Sequence, residues 1–400
     1  MIYIVLLLAL IILSYQYDYL KKTKHKKLWY HIVLILFILV AGLRYRIGVD
    51  SIRYESGFKF YPSFDILSID DFIYNSYQPL YILMTVAART ISDEFWVFQM
   101  LHSILVNVIV FRFFRLNTKN IFLSILLYFI FLYNCYLFEV LRESCAVCMV
   151  LLGWEFVKKD KWAVFILFIC IATLFHISAL PLLLLPLLKI LKIWNHLHIN
   201  KFTILYLLII YAVGNVIQYV FFDFIIQLNL IESVTDKAIR YADTELAGSQ
   251  VNFFGMIENC IRQIFFPFVG YIILKQQKCQ DKNVESMLFI CFAFIILSFS
   301  ISLAYRYSNY LYPFALIVIS NAAYSEKVPF LNHTYLRLRS FKSWLAIITI
   351  IAAIQIRGCF LAPIGNTNYK DYMRYYPYAN VITKQLDNNR ESLYKYYNAE

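Results

Sequence analysis

Apolar stretches of about 20 residues recur from one end of this 400-residue chain to the other. A helix needs roughly 20 residues to cross a hydrocarbon core about 30 Å thick, and helices are one of the few structures that satisfy their backbone polar groups inside lipid. Hydrophobic residues make up 61% of the chain, against roughly 45–50% in soluble domains. The sequence therefore predicts an all-α, polytopic integral membrane protein.

The apolar windows indicate about twelve spans. They are 1–20, 28–43, 94–114, 121–138, 139–157, 162–178, 179–194, 202–222, 251–274, 284–303, 307–324 and 343–361. Residues 79–91 are apolar but too short to cross comfortably, so we interpret them as a surface or re-entrant helix. The spans together form one predicted transmembrane domain, residues 1–361, followed by a tail, residues 362–400.

The basic residues of the short loops predict the orientation, because Lys and Arg in such loops stay preferentially on the cytoplasmic side. The richest cluster is at residues 21–27, and strict alternation of spans brings five further basic loops to that side. The segments 44–93 and 223–250 and the tail are then on the outer face. The net charge of +12 is explained by this bias, so no nucleic-acid partner is expected.

Charged residues interrupt the spans at one predicted side only. Arg142 and Glu143 stand inside the apolar run 121–157, where a charge at the bilayer centre costs roughly 2.5–3.5 kcal/mol on insertion scales. Alternation places the interruptions from several spans at the outer face. These residues are Arg44, Arg46, Asp50, Arg142, Glu143, His176 and Arg306. Such residues mark functional sites in membrane proteins.

Several chemistries lack their motifs in this sequence. There is no P-loop, GxGxxG, HExxH or GxSxG. Cys145 and Cys148 have CxxC spacing, but on a lipid-embedded helix we interpret them as small buried residues rather than redox or metal ligands. No metal site and no cofactor are predicted.

Arginines at a membrane surface suit a diphosphate, because guanidinium groups give bidentate, charge-assisted hydrogen bonds to phosphate oxygens. A lipid diphosphate would lie with its chain in the bilayer and its head group at the interface. A glycosyl donor of this kind brings its own leaving group, so a metal is not obligatory. The protein would neutralise the diphosphate, and a His or a carboxylate would remove a proton from an acceptor hydroxyl.

Five segments in order resemble one family. Residues 42–50 read GLRYRIGVD and are followed by Tyr54; residues 78–81 read QPLY; residues 141–147 read LRESCAV; residues 175–179 read FHISA; and Arg306 precedes Tyr310. This pattern, over about residues 42–320, resembles the EpsG-type, Wzy-like polysaccharide polymerases. Three residues depart from the family pattern: Glu143 stands where Gln is expected, Gln78 where Glu is expected, and Arg46 where Gly is common. Glu143 is therefore either catalytic or the counter-ion of Arg142.

The resemblance implies a GT-C-like glycosyltransferase on the outer (periplasmic) face of the bacterial cytoplasmic (inner) membrane. It would transfer a growing glycan from polyprenyl (undecaprenyl) diphosphate to a lipid-linked repeat unit. Partners would be that donor, the acceptor, membrane lipid and a chain-length regulator protein. Arg44, Arg142 and Arg306 would hold the diphosphate, with Arg46 assisting. His176, Glu143 or Asp50 would be the base, and His176 is preferred for its unperturbed pKa near 6.5.

Each candidate residue also has a structural explanation. Arg44 and Arg46 could be interfacial anchors, Arg142 and Glu143 a structural ion pair, His176 a packing residue and Asp50 a helix N-cap. Glu258 and Arg262, four residues apart, either line a glycan groove with Tyr310 or lock two helices together. The tail tyrosines either stack on sugars or pack on the membrane surface: Tyr369, Tyr372, Tyr375, Tyr376 and Tyr378.

Other functions remain open for the whole chain. A flippase or exporter of lipid-linked oligosaccharide would share the many spans but is expected to show internal repeats and midplane charges. A membrane acyltransferase would use a His from the cytoplasmic side, whereas His176 is predicted outside. An O-antigen-ligase-like glycosyltransferase has the same site chemistry as a polymerase.

Overall fold

The computed structural model describes residues 2–228, 253–279, 281–323, 328–330, 334–336, 349–350, 353 and 370–399. Contacts between Cα atoms divide the chain into two compact units. Unit 1 comprises residues 1–183 and 337–400, and unit 2 comprises residues 184–336. The described residues are helical apart from one short hairpin, so the predicted helical class is confirmed.

Unit 1 contains nine helices of the N-terminal part and one of the tail within its described residues. They are α1 (Ile2–Leu13), α2 (Lys26–Gly42), α3 (Val49–Phe58), α4 (Asp70–Ile73), α5 (Pro79–Ile91), α6 (Phe95–Asn117), α7 (Ile121–Tyr128), α8 (Leu141–Val157), α9 (Trp162–Thr173) and, in the tail, α16 (Asn388–Ala399). π-Helical turns extend α1 over Ser14–Tyr19 and α7 over Phe129–Tyr133 and Cys135–Glu139. Short 3₁₀ turns occupy Phe64–Ile66, Ile177–Leu183 and Asp371–Arg374.

Aromatic rings fill the core of unit 1, where α2, α6 and α8 pack in sequence and α9 packs on α8. The ring of Phe37 lies 4.7 Å from that of Tyr133 and 5.2 Å from that of Phe111, measured between centroids. The Tyr133 hydroxyl donates to the Phe37 carbonyl at 2.8 Å. Edge-on ring contacts of this kind add to the apolar area that they bury.

A buried carboxylate holds the basic 21–27 loop against α7. Asp18 accepts the Leu123 backbone N–H at 2.7 Å, near the start of α7. Lys26 lies 3.6 Å from the same carboxylate. An acceptor at this position satisfies one of the N–H groups that have no partner inside the helix.

Unit 2 contains α10 (Leu184–Ile190), α11 (Thr203–Leu228), α12 (Phe253–Cys260), α13 (Phe266–Gln276), α14 (Lys282–Leu297) and α15 (Tyr305–Ala322), with a π-helical turn at Ile261–Phe265 and 3₁₀ turns at Ile193–His196 and Ser302–Ala304. The hairpin β1 (Val328–Phe330) and β2 (Thr334–Leu336) is antiparallel. Buried Glu285 links the helices of this unit: it accepts the Ile199 backbone N–H at 2.9 Å and the Tyr271 hydroxyl at 2.5 Å.

Among the described residues, three helices have the length and apolar character to cross a membrane: Ile2–Tyr19, Phe95–Asn117 and Phe253–Gln276. Shorter apolar helices accompany them at Pro79–Ile91, Ile121–Tyr133, Trp162–Thr173, Ile177–Ile190 and Thr203–Ile217. These helices indicate a membrane protein, while the number of twelve spans and the GT-C-like fold stay predictions.

Helix boundaries differ from the predicted spans at identifiable places. Helix α9 ends at Thr173, five residues before the predicted end of its span, because a 3₁₀ turn containing Pro181 follows. Helix α11 continues to Leu228, so the first residues of the predicted loop 223–250 are helical. The rest of that loop, and all but residues 349, 350 and 353 of the predicted span 343–361, lie outside the described residues.

Candidate functional site

Arg142, at the start of α8, is held by three tyrosines. Its Nε donates to the Tyr54 hydroxyl at 2.8 Å. Its guanidinium carbon lies 4.2 Å from the ring centroid of Tyr77 and 5.9 Å from those of Tyr54 and Tyr81. We call Tyr54, Tyr77 and Tyr81 the tyrosine cage. Cation–π contacts and a phenol hold the charge in place without neutralising it.

Gln78 completes the surroundings of Arg142. Its Oε1 lies 3.5 Å from Nη1 of the arginine. No carboxylate in the part of the chain that the structure describes forms an ion pair with Arg142. The guanidinium is thus half-buried, fixed in orientation and still cationic, which are the properties that an anion site requires.

Four of the five motif segments meet at this arginine. Tyr54 lies on α3, and Gln78 is the N-cap residue of α5, with Pro79 in the first turn. The Leu80 backbone N–H donates to the Leu174 carbonyl at 2.9 Å, which joins the start of α5 to the end of α9. Phe175 packs against the cluster that includes Tyr81. The segments 42–54, 78–81, 141–147 and 175–179 are therefore neighbours.

Asp50 shares a face of α3 with Tyr54, since residues four apart on a helix are one turn apart on the same side. The N-cap of this helix is Gly48, at φ 86°, so Asp50 lies in the first turn rather than at the cap. The capping carboxylate comes from Glu139, whose Oε2 accepts the Val49 N–H at 3.1 Å and the Asp50 N–H at 3.5 Å. Asp50 is thus one helical turn from the hydroxyl that binds Arg142.

Sequence reasoning missed Glu139, which anchors α3. The signal was available: Glu139 is a carboxylate in an apolar run, three residues before Arg142. A buried carboxylate needs partners, and the N–H groups at the start of a helix are suitable ones.

His176 has a defined hydrogen-bonding arrangement. The Ser178 backbone N–H donates to Nδ1 at 3.2 Å, and the Ser178 hydroxyl oxygen lies 2.6 Å from the same nitrogen. A nitrogen that accepts an N–H bond carries no proton, so the neutral ring has its proton on Nε2. In this arrangement, His176 is suited to donate a hydrogen bond through Nε2. Glu143, the third predicted base, is 3% exposed.

Arg44 is fully buried rather than exposed at an interface. Its Nη1 donates to the Ala41 carbonyl and its Nη2 lies 3.4 Å from the Ser51 hydroxyl, while its guanidinium lies 5.2 Å from the Phe138 ring. Burial lowers the pKa of this guanidinium to about 10, so the group remains charged at neutral pH.

Arg46 has different partners. Its Nε is 3.4 Å from Oε2 of Glu55, and its guanidinium lies 3.9 Å from the ring centroid of Tyr394 in α16. Burial raises the pKa of Glu55, and the charge of Arg46 opposes that rise. Neither Arg44 nor Arg46 contacts the tyrosine cage through any bond described above.

A cavity of about 250 Å³ opens beside Arg46. It lies between α3, the start of α6 and a piece of the tail, and residues from all three line it, including Glu55, Phe58, Trp96, Gln99, Val381 and Lys384. We call it the Trp96 pocket.

The predicted site residues of unit 2 have separate surroundings. Arg306 lies in the first turn of α15, and Glu258 lies in α12. Arg262 donates from Nη2 to Asn259 at 2.6 Å, and its carbonyl accepts the Tyr312 hydroxyl at 3.1 Å. Tyr310 is fully buried, so it is poorly placed to line an open groove. The roles of Arg306 and the pairing of Glu258 with Arg262 stay predictions.

The remaining predictions concern cysteines, metals and tail tyrosines. Cys145 and Cys148 are free and fully buried in α8, as expected for packing residues. Within the described residues, no group of three His, Cys, Asp or Glu could hold a metal ion. Tyr378 donates to the Val40 carbonyl at 3.0 Å, which is a packing contact, and Tyr369 lies outside the described residues.

Comparison with known proteins agrees with the motif pattern. The model of the EpsG family matches residues 27–330 of the chain. No curated protein and no solved structure matches it significantly. The match covers about three quarters of the sequence and includes all five motif segments, so the chain belongs to the EpsG family.

Proposed function

We propose that this membrane protein is a polysaccharide polymerase that uses a polyprenyl-diphosphate-linked glycan as donor and a lipid-linked repeat unit as acceptor, on the outer face of the bacterial cytoplasmic membrane. The observation that carries the proposal is the environment of Arg142. A cation is held among tyrosines, with no described carboxylate paired to it and a separate carboxylate one helical turn from its phenol partner. EpsG family membership supports a polymerase role in general.

The chemistry follows from these groups. The donor diphosphate binds Arg142, and the guanidinium stabilises the negative charge that develops on the departing phosphate oxygen. Asp50 accepts the proton of the attacking sugar hydroxyl as the new glycosidic bond forms and the bond to the diphosphate breaks. His176, protonated at Nε2, supports a phosphate or sugar oxygen as a hydrogen-bond donor. Asp50 therefore replaces His176 as the preferred base.

The first experiment compares variants in cells that lack the native protein, with membrane levels checked and lipid-linked and surface glycans separated by size. Arg142→Ala and Asp50→Asn should leave only single lipid-linked repeat units on the outer leaflet. Arg53→Ala and Asp65→Asn are the matched controls, because both residues are exposed and lie outside the Arg142 surroundings. The controls should give a normal ladder of chain lengths.

His176→Gln separates the two roles of the histidine, because Gln keeps an N–H donor but cannot accept a proton at neutral pH. A shortened but visible ladder is expected. Complete loss of the ladder in His176→Gln, with a normal ladder in Asp50→Asn, would make His176 the base. Normal ladders in both Arg142→Ala and Asp50→Asn would reject the site. Repeat units trapped on the inner leaflet would indicate a flippase.

A further inference from the structure

The Trp96 pocket is a second concave site in unit 1, and the chemistry proposed above does not use it. Its volume of about 250 Å³ is slightly below the roughly 300–1,000 Å³ of pockets that hold drug-sized ligands. Phe58 lines the pocket and belongs to the same packed cluster as Tyr81. A shared wall therefore separates the pocket from the tyrosine cage.

Ion pairs make the pocket polar without a strong net charge. Arg46 pairs with Glu55 at 3.4 Å, and Lys384 pairs with Glu94 at 3.6 Å. Asp93 is bonded by Arg89. A diphosphate would meet these carboxylates as well as the cations, so the pocket suits a ligand that both donates and accepts hydrogen bonds.

The floor of the pocket is a buried polar network. Gln99, 2% exposed, donates from Nε2 to the Ser51 hydroxyl at 3.1 Å, and the same hydroxyl lies 3.4 Å from Nη2 of Arg44. Nε of the fully buried Arg44 has no hydrogen-bond partner among the described residues. A buried donor without a partner is costly, and a polar ligand in the pocket that Arg44 lines would reduce that cost.

Aromatic rings form the opposite wall. Trp96 is half-buried at the pocket edge, and Phe95 stacks on Phe98 with ring centroids 5.4 Å apart. Such a fixed wall presents flat apolar surface next to hydrogen-bonding groups. The combination matches a sugar ring, which has apolar C–H faces and a rim of hydroxyl groups that donate and accept.

The tail supplies the third wall and lies beyond the family match, which ends at residue 330. The tail pairs with the arginine loop like a strand: the Tyr45 N–H donates to the Ala379 carbonyl at 3.0 Å, and the Val381 N–H donates to the Leu43 carbonyl at 2.9 Å. This pairing places Val381 and Lys384 against the pocket.

We infer that the Trp96 pocket binds one sugar ring of the acceptor repeat unit, and that Val381 and Lys384 of the tail help to select which sugar enters. The inference rests on the proposed polymerase function, because it assigns the second substrate of that reaction. Glu55 and Gln99 accept and donate hydrogen bonds to the hydroxyl groups, and Trp96 stacks on the ring.

The test measures binding without the diphosphate. The probe is the repeat-unit oligosaccharide released from its lipid, titrated into the purified full-length protein in nanodiscs and followed by calorimetry. Glu55→Gln and Trp96→Ala should each raise the Kd by about tenfold or more, the effect of losing a hydrogen bond to a charged group or a stacked ring. Asp65→Asn and Trp29→Ala are the matched controls and should leave the Kd unchanged.

The outcomes separate the inference from the proposed function. If polymerisation is observed but both pocket variants bind the oligosaccharide like the wild type, the subsite is wrong and the polymerase stands. If the wild type does not polymerise but binds the oligosaccharide through Glu55 and Trp96, the subsite stands in a protein of another function. Absence of binding to the wild type at millimolar oligosaccharide would also overturn the inference. A folding defect is detected as a lower thermal midpoint, and Glu55→Asp then serves as the milder variant.

Discussion

Gly48 is the residue that the backbone of the site tolerates least in any other form. It lies at φ 86° and ψ 144°, in a region that is essentially restricted to glycine. A Cβ atom added there would sit 2.2 Å from the Phe138 carbonyl oxygen, against an ordinary C···O contact of about 3.3 Å. Gly48→Ala must therefore move this backbone by about 1 Å, the difference between those two distances.

The cost of that movement follows from the local contacts. The strained backbone alone costs about 1–3 kcal/mol. The shift also disturbs the bond from the Gly48 N–H to the Arg374 carbonyl, 3.1 Å, and that from the Val49 N–H to Glu139, 3.1 Å, each worth about 1 kcal/mol. A total of about 3 kcal/mol or more corresponds to a roughly 100-fold smaller population of the native loop.

Hydrogen exchange of the backbone amides at the start of α3 measures this population directly. In purified Gly48→Ala protein, exchange of the amides of residues 49–52 should be roughly 100-fold faster than in the wild type. Gly57→Ala is the matched control: it also lies in or beside α3, no atom is within 4 Å of the added Cβ, and alanine should stabilise the helix by about 0.5–1 kcal/mol.

A polymer ladder from the same two variants links the loop to function, since α3 carries Asp50 and Tyr54. Gly48→Ala should give few long chains at a normal membrane level, and Gly57→Ala should give the wild-type ladder. If the α3 amides of Gly48→Ala exchange at the wild-type rate, the steric argument is wrong. If they exchange faster and the ladder is normal, the geometry of α3 is not needed for catalysis.

Three further substitutions test separate contacts. Arg142→Lys keeps the charge but loses the Nε bond to Tyr54, worth about 1.5–3 kcal/mol, so the polymerisation rate in membranes should fall about 10- to 100-fold; a wild-type rate would mean that charge alone suffices. Arg390→Met removes the 3.0 Å bond to the Arg46 carbonyl, so limited proteolysis should cut the tail faster, and an unchanged cleavage rate would deny the tail this anchor. Asp18→Asn weakens a buried helix cap and should lower the free energy of unfolding by about 1–3 kcal/mol, seen as a lower thermal midpoint in detergent; an unchanged midpoint would contradict the capping role.

The helices were the most predictable part of the structure, because their signals are local. The predicted helix at residues 79–91 coincides with α5, where Gln78 precedes a proline in the first turn. The predicted span 94–114 lies almost entirely within α6. The ends of α9 and α11 were misplaced because the apolar pattern continues past them, and hydropathy does not register a 3₁₀ turn or a polar helical extension.

The candidate site was predictable in membership but not in arrangement. Ordered motifs identified Arg142, Asp50 and His176, yet the tautomer of His176 depends on the Ser178 N–H, a contact that only the folded turn defines. Likewise, Tyr77 lies next to a motif residue but was not singled out, because nothing in a tyrosine-rich sequence distinguishes the ring that meets a cation.

The arginine pair of the first motif shows why order in sequence does not assign roles. Arg44 and Arg46 are two residues apart, but Arg46 has a left-handed backbone, φ 50°, which turns the chain between them. Arg44 is consequently buried against Phe138 and Ser51, while Arg46 faces Glu55 and the tail tyrosine Tyr394. A structural interpretation of Arg44 and a functional one of Arg46 are therefore compatible, because the buried cation fixes the loop from which the other reaches the pocket.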